Sequence, residues 1–295
     1  MAYTEYIYRS SWCIEHVFCF AGKQGARGEK RAEKKKATPD QIKRQNHRNK
    51  VNYIRRTIQL NFRQGDLWLT LKYPKDTRKP IDDVKADFKR FIRKMKERYK
   101  KTGALCKYIY SIEIGKLGGI HVHLVMNRLN DPKADLMISD AWTRARGMTP
   151  LEDMLEDGLC PADGLAHLDH VREVGDGQRL AEYIAKAQPM ELEDGTLLTE
   201  EELKKIRMFG SSRNLIRPNP EKRTYAHWTM RAILKLQAEG MNTQANRYRT
   251  KGYLVDKGSW QQGVNEFTGY SYLRYTEYPP GRGPGDAYWK SITGG

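Results

Sequence analysis

The chain has 295 residues, enough for one large domain or two ordinary ones, and 39% of them are hydrophobic, enough for a core. Lysine and arginine outnumber aspartate and glutamate by 53 to 36, a net charge of +17, which predicts salt-dependent attraction to polyanions and puts nucleic acid ahead of mere solubility. Four scattered cysteines without a CxxC pair argue against a disulfide framework or a zinc ribbon. No apolar run of membrane-spanning length and no signal-peptide pattern occur, so we expect a soluble, cytoplasmic protein with no membrane partner.

Residues 1–22 are aromatic and alternating, as a strand requires. Cys13, His16 and Cys19 are spaced CxxHxxC, either three zinc ligands lacking a fourth or ordinary buried residues. Residues 23–56 hold thirteen lysines and arginines against Glu29, Glu33 and Asp40, a net +10. Such a run is a solvated, disordered segment, or else a DNA-backbone arm or a helix that orders on DNA.

Leu67–Tyr73 (LWLTLKY) predicts a short strand ended by Pro74. Over Ile81–Lys101, Val84, Phe88, Phe91, Ile92, Met95 and Tyr99 follow helical spacing, and Gly103 ends the helix. Lys107–Asn127 (KYIYSIEIGKLGGIHVHLVMN) predicts strands at 106–114 and 120–127 around a turn at 115–119. A helix is expected from Pro132 to about Glu156, broken near Gly147–Pro150. A strand at Leu165–Val174 and a helix at Gln178–Gln188, stopped by Pro189, complete the series.

The order β-α-β-β-α-β-α predicts an α+β fold. It is a ferredoxin-like or RRM-like antiparallel sheet with helices on one face and the other face open. We divide the chain into an N-terminal segment with its basic arm (1–56), a central domain (57–190) and a C-terminal extension (191–295). The extension holds an acidic patch, a helix around 200–208 and an amphipathic stretch near 225–238.

His121 and His123 are one residue apart on a strand, so they share a face about 7 Å apart. If Gly115–Gly119 form the loop, Glu113 lies opposite His121 and joins that face. A slip of one residue would turn it away. Two imidazoles and a carboxylate suit a divalent cation that acts as a Lewis acid. A structural histidine pair and an exposed strand glutamate are the plainer alternative. Tyr183 and Lys186 are helix neighbours beside the apolar stripe of Leu180, Ile184 and Ala187. A phenol ionises near pH about 10 and needs a nearby cation to attack phosphorus. A tyrosine in a helix otherwise packs.

Taken together, LTLKYP (Leu69–Pro74), HVH within GGIHVHLVMN, and YIAK (Tyr183–Lys186) resemble the HUH superfamily of single-strand endonucleases. They are most similar to the rolling-circle replication-associated (Rep) proteins of plasmids and single-stranded DNA phages. The resemblance covers about residues 50–190. It implies that Tyr183 attacks a phosphodiester in single-stranded or extruded origin DNA, leaving a 5′-phosphotyrosine link and a 3′-hydroxyl that primes a host polymerase. It implies that Glu113, His121 and His123 hold Mg²⁺ or Mn²⁺, and that Lys186 steadies the charge at the tyrosine or the metal. No small-molecule substrate is implied.

The chain has a single tyrosine on that helix, so termination needs another route, such as a second subunit or a carboxylate like Glu182. It has no GxxxxGK[ST] loop, so strand separation falls to supercoiling or a host helicase. Arg207–Pro218 (RMFGSSRNLIRP) resembles a stretch that follows the nuclease domain in related proteins, and Arg213 and Asn214 are candidate DNA contacts. Tyr225, Trp228, Tyr270, Tyr272 and Tyr275 are either base-stacking platforms or core. The rival readings are an HUH transposase or relaxase, and a non-catalytic RRM-like nucleic-acid-binding protein. The last predicts aromatic residues on the central strands, where this chain carries histidines and a glutamate.

Overall fold

The computed structural model describes residues 3–20, 37–74, 77, 79–115, 117–148, 165–172, 176–186, 192, 195–199, 201, 203, 209–225, 250–265 and 270–280. In chain order the first elements are β1 (Tyr3–Arg9), β2 (Ile14–Phe20), α1 (Pro39–Asn61), β3 (Leu67–Leu71) and α2 (Ile81–Lys101). Then come β4 (Tyr108–Ile114), β5 (Ile120–Met126), α3 (Ala134–Ala145), β6 (Ala166–His170) and α4 (Asp176–Ala185). The last are β7 (Gly210–Ser211), β8 (Glu221–Tyr225), β9 (Leu254–Val255), β10 (Gln261–Val264) and β11 (Ser271–Tyr278). The chain forms two compact units, one from residues 1–60 and 217–295, the other from residues 61–172 and 176–216.

In the second unit an antiparallel sheet runs β6-β3-β5-β4-β7. Alternation along the strands decides its two faces. Leu67, Leu69, Leu71, Ile112, Ile114, Ile120, Val122, Leu124 and Met126 point one way. There they pack with Val84, Phe88, Phe91, Ile92, Met95 and Tyr99 of α2 and with Ile138, Ala141 and Trp142 of α3. All six apolar positions expected of the Ile81–Lys101 helix are buried. The first four strands stand in the order fourth-first-third-second, so the α+β, ferredoxin-like expectation holds.

Two features go beyond it. Ser212 donates its backbone N–H to the Tyr108 carbonyl at 2.9 Å, and β7 adds an edge strand beside β4. The second sheet face is also not left open. It carries Trp68, Thr70, Glu113, His121 and His123, and α4 lies against it with Leu180 and Ile184 buried. The helix expected from Pro132 is observed at α3, after which Gly147 takes a left-handed φ of 82°. Residues 149–164 lie outside the described residues. So do nearly all of the expected helix around 200–208 and of the amphipathic stretch near 225–238, with Cys160 and Trp228.

In the first unit the antiparallel order is β10-β11-β2-β1-β8, with β9 also on β11. The zinc reading of Cys13, His16 and Cys19 fails on strand parity, because three residues along a strand turn Cys19 to the face opposite His16. His16 Nδ1 instead meets Glu5 Oε1 at 2.6 Å, and its Nε2 lies 3.4 Å from Glu277 Oε2. Tyr275 is buried between His16 and Trp260, and Tyr270 stacks on Phe20, so both serve packing; Tyr272 is exposed.

The other face receives Glu15, whose carboxylate is sealed from solvent. Arg55 Nη2 and Arg56 Nε each donate to Glu15 Oε2 at 2.8 Å, and Arg274 Nε pairs with Oε1. These contacts, with Val51, Ile54 and Ile58 buried, anchor the C-terminal half of α1. The basic run is therefore helical from Pro39 onward.

Burial alone would raise the Glu15 pKa, but Arg55, Arg56 and Arg274 override it and hold the carboxyl at about 2 against a usual 4.5. A depressed carboxylate pKa gives stability that is full above the usual value and is lost as pH falls toward the folded value. Chemical denaturation of the native protein should therefore show its midpoint falling as pH drops from about 4.5 toward about 2. Glu15→Gln should flatten that limb and cost about 3–5 kcal/mol at neutral pH, because it strands buried guanidinium charge.

Candidate active site

The β4–β5 hairpin places the first three residues. Gly115 N–H donates to Gly119 O at 2.8 Å and Gly118 N–H to Gly115 O at 2.9 Å, closing the turn. Gly118 sits at φ 80°, where a side chain is strained. A Cβ on Gly115 would lie 3.2 Å from Gly119 O and 3.3 Å from His121 Cε1, so glycine lets the turn fold against the imidazole. With this turn Ile114 pairs with Ile120, Glu113 with His121 and Ser111 with His123. Glu113, His121 and His123 therefore share one face.

The next strand adds residues to that face. β3 pairs Thr70 with His123, and the Thr70 hydroxyl lies 3.1 Å from His123 Nδ1. Trp68 stacks on the His123 ring, with centroids 5.6 Å apart and planes 9° apart. α4 then brings Tyr183, whose ring centroid is 6.4 Å from that of His123 and 6.1 Å from that of Trp68. Lys186, just beyond α4, donates from Nζ to Glu113 Oε1, while His123 Nε2 lies 3.0 Å from Glu113 Oε2. These side chains line a cleft of about 450 Å³ together with Lys72, Gly115 and Arg179.

The His123 hydrogen bond, joined by Lys186 and opposed by partial burial, holds the Glu113 carboxyl at about 2. Burial, His123 and Lys72 push the His121 pKa down, which favours the neutral imidazole. A neutral imidazole is the form that coordinates a metal. Among the described residues, no group of three or more His, Cys, Asp or Glu side chains stands in a metal-holding arrangement. Both Glu113 oxygens are engaged, by His123 and by Lys186. The donor set of two imidazoles and a carboxylate on one rigid face nevertheless fits a divalent ion by its chemistry.

The structure thus brings together Glu113, His121, His123, Tyr183 and Lys186. It places Arg213 and Asn214 apart from them. Both follow Ser212, which is bonded to Tyr108 at the start of β4, and Glu113 is near that strand's other end. Asn214 Nδ2 donates to the Cys106 carbonyl at 3.1 Å, a structural contact. Glu182 accepts from Gln178 along α4 and is not among the residues lining the cleft. Trp68, Thr70, Lys72 and Arg179 are the cleft residues missed from sequence. Trp68 supplies one aromatic on a central strand, where only histidines and a glutamate were expected.

Residues 66–188 match the family model of the replication-associated protein of the ORF2 type. That stretch begins beside β3 and ends just past Lys186, so every residue of the cleft lies inside it. The match bears out the resemblance drawn from the three motifs and points to a role in DNA replication. No curated protein and no solved structure matches the chain. Among the described residues, no helix is long and apolar enough to cross a membrane.

The turn geometry sets a measurable cost. Gly118→Ala should lower stability by about 1 kcal/mol in denaturant titrations, and Gly118→Asn by less, because asparagine tolerates a positive φ.

Proposed function

We propose that the protein initiates rolling-circle replication by nicking and rejoining single-stranded DNA at an origin through a tyrosine–phosphate intermediate. One observation carries this: Tyr183, sixty residues beyond His123 in sequence, stands beside it at 6.4 Å between ring centroids, in the cleft that holds the Glu113–Lys186 pair. A tyrosine on a cationic cleft edge, next to metal-type donors, is the arrangement that phosphodiester transesterification needs.

In the forward step the Tyr183 phenolic oxygen forms a bond to phosphorus and the P–O3′ bond breaks. The phenol gives up its proton, and the departing 3′ oxygen takes one up. One phosphodiester replaces another, so the reverse reaction rejoins ends at the same site. Lys72, Arg179 and Lys186 line the cleft against the one carboxylate of Glu113, which favours a phosphate backbone. Trp68 offers a ring face beside the nucleophile on which an unpaired base can stack. Thr70 fixes the His123 ring through Nδ1 and leaves Nε2 directed at Glu113. Glu113, His121 and His123 would hold Mg²⁺ or Mn²⁺, which when bound would supply Lewis-acid polarisation of the phosphate. The host would supply the helicase and polymerase.

The decisive experiment incubates the native protein with Mn²⁺ and a labelled single-stranded oligonucleotide from its own replicon's origin, then resolves products on a denaturing gel. A covalent protein–DNA band is expected, and Tyr183→Phe should abolish it. Absence of the band with native protein would overturn the proposal, and its persistence in Tyr183→Phe would overturn the choice of nucleophile.

The metal set has its own test. His121→Ala with His123→Ala should abolish tight Mn²⁺ binding measured by electron paramagnetic resonance. Thr70→Val should weaken it by about 10- to 100-fold, as expected when a ligand's outer partner is lost. Native-like Mn²⁺ binding in the double variant would sink this ligand assignment.

A further inference from the structure

The first three turns of α1 serve no packing role. Every residue from Ile42 to Asn49 is exposed, on all sides of the helix, whereas burial begins at Val51. A helix that is polar all round has no apolar face to hold it and must be fixed from elsewhere. Here it is fixed at both ends. Thr38 and Gln41 cap one end reciprocally, Thr38 N–H donating to Gln41 Oε1 at 2.9 Å and Gln41 N–H lying 3.3 Å from Thr38 Oγ1. At the other end the Arg55 and Arg56 contacts to buried Glu15 clamp the helix to its sheet. A projecting helix is thus held rigidly in solvent.

Its side chains are ordered by helical spacing. Gln41, Arg44, Gln45 and Arg48 stand at i, i+3, i+4 and i+7 and form one stripe. Lys43 and His47 lie beside the stripe on one flank, and Asn49 lies on the other. Lys43, Arg44, Arg48 and Lys50 oppose the single carboxylate of Asp40, a net +3 over residues 38–50. An α-helix fits the major groove of duplex DNA. Arginine pairs with guanine O6 and N7 there, and glutamine with adenine N6 and N7.

We infer that the N-terminal half of α1 is a duplex-DNA reader, with Gln41, Arg44, Gln45 and Arg48 facing base edges in the major groove. It deepens, and for its choice of DNA rests on, the proposed initiator function. The reader would select a double-stranded origin element, a task separate from the single-strand chemistry at Tyr183.

The test uses the full-length protein and a duplex library with a randomised core. Selection should enrich a defined motif, and fluorescence anisotropy on that duplex should exceed binding to a scrambled one. Arg44→Ala with Arg48→Ala should weaken the selected duplex by about tenfold or more, and lower the slope of log affinity against log salt. Arg44→Lys with Arg48→Lys, which keeps the charge, should lose preference for the motif while retaining scrambled-duplex binding. The same variants should form the Tyr183 adduct on single-stranded DNA as the native protein does, with unchanged thermal unfolding.

No enriched motif, or native-like duplex preference in both double variants, would overturn the inference. Failure of native protein to form the adduct, with duplex preference intact, would instead remove the nicking reaction and support the reader.

Discussion

The pairing of Glu113 with His121 across β4 and β5 is the constraint on which the candidate site depends. Side chains alternate along a strand, so one residue of slip would send Glu113 into the apolar layer under α2 and Ile112 or Ile114 out to the cleft. Two things resist that slip. The buried side demands Ile112, Ile114, Ile120, Val122 and Leu124 together, which is a large apolar area to expose. The turn permits only this register, because Gly118 takes a positive φ and Gly115 packs against His121. The core and the turn therefore specify the same arrangement from opposite sides of the sheet.

The second sheet face gains its chemistry from α4. Leu180 and Ile184 bury one side of that helix, and helical spacing then leaves Tyr183 and Arg179 at the cleft. Tyr183 is 45% exposed, so its hydroxyl end stays reachable while its ring rests near Trp68 and His123. Packing on one side of a short helix, with a half-exposed nucleophile on the other, is how a site can be both rigid and open to a polymer substrate.

Much of this second unit was legible in the sequence because its signals are local. Period-3.6 apolar spacing marked α2 to the residue, and period-2 alternation with the glycine turn placed Glu113 beside both histidines. Trp68, Thr70 and Lys72 were missed because their role requires knowing that β3 adjoins β5, which is a long-range pairing. Their parity alone only says that the three share a face. Arg179 was within reach, since it precedes Tyr183 by four residues on the same helix. The first unit was hardly legible at all. Its sheet joins Tyr3 to Tyr225 and Glu15 to Thr276, and no periodicity announces contacts more than two hundred residues apart. The basic run illustrates the same limit: its charge was plain, but its helix is held by a carboxylate on β2 that sequence spacing could not connect to it.

Glu15 and Glu113 show how one device serves two ends. Each is a carboxylate held at about 2 by cationic or hydrogen-bonding neighbours. Around Glu15 the side chain is 1% exposed and its partners are Arg55, Arg56 and Arg274, whose planar, permanently charged heads grip several oxygen lone pairs at once. Removing any of them strands charge in the interior, so the cluster behaves as a fixed bolt for α1. Around Glu113 the side chain is 15% exposed, and one partner is Lys186, a point charge on a flexible stem that is 57% exposed. Water can take up a lysine that lets go, so Glu113 can exchange partners at low cost where Glu15 cannot. The difference between a structural carboxylate and a chemically available one lies here in the exposure and stiffness of the cations that hold it, not in the depth of its pKa.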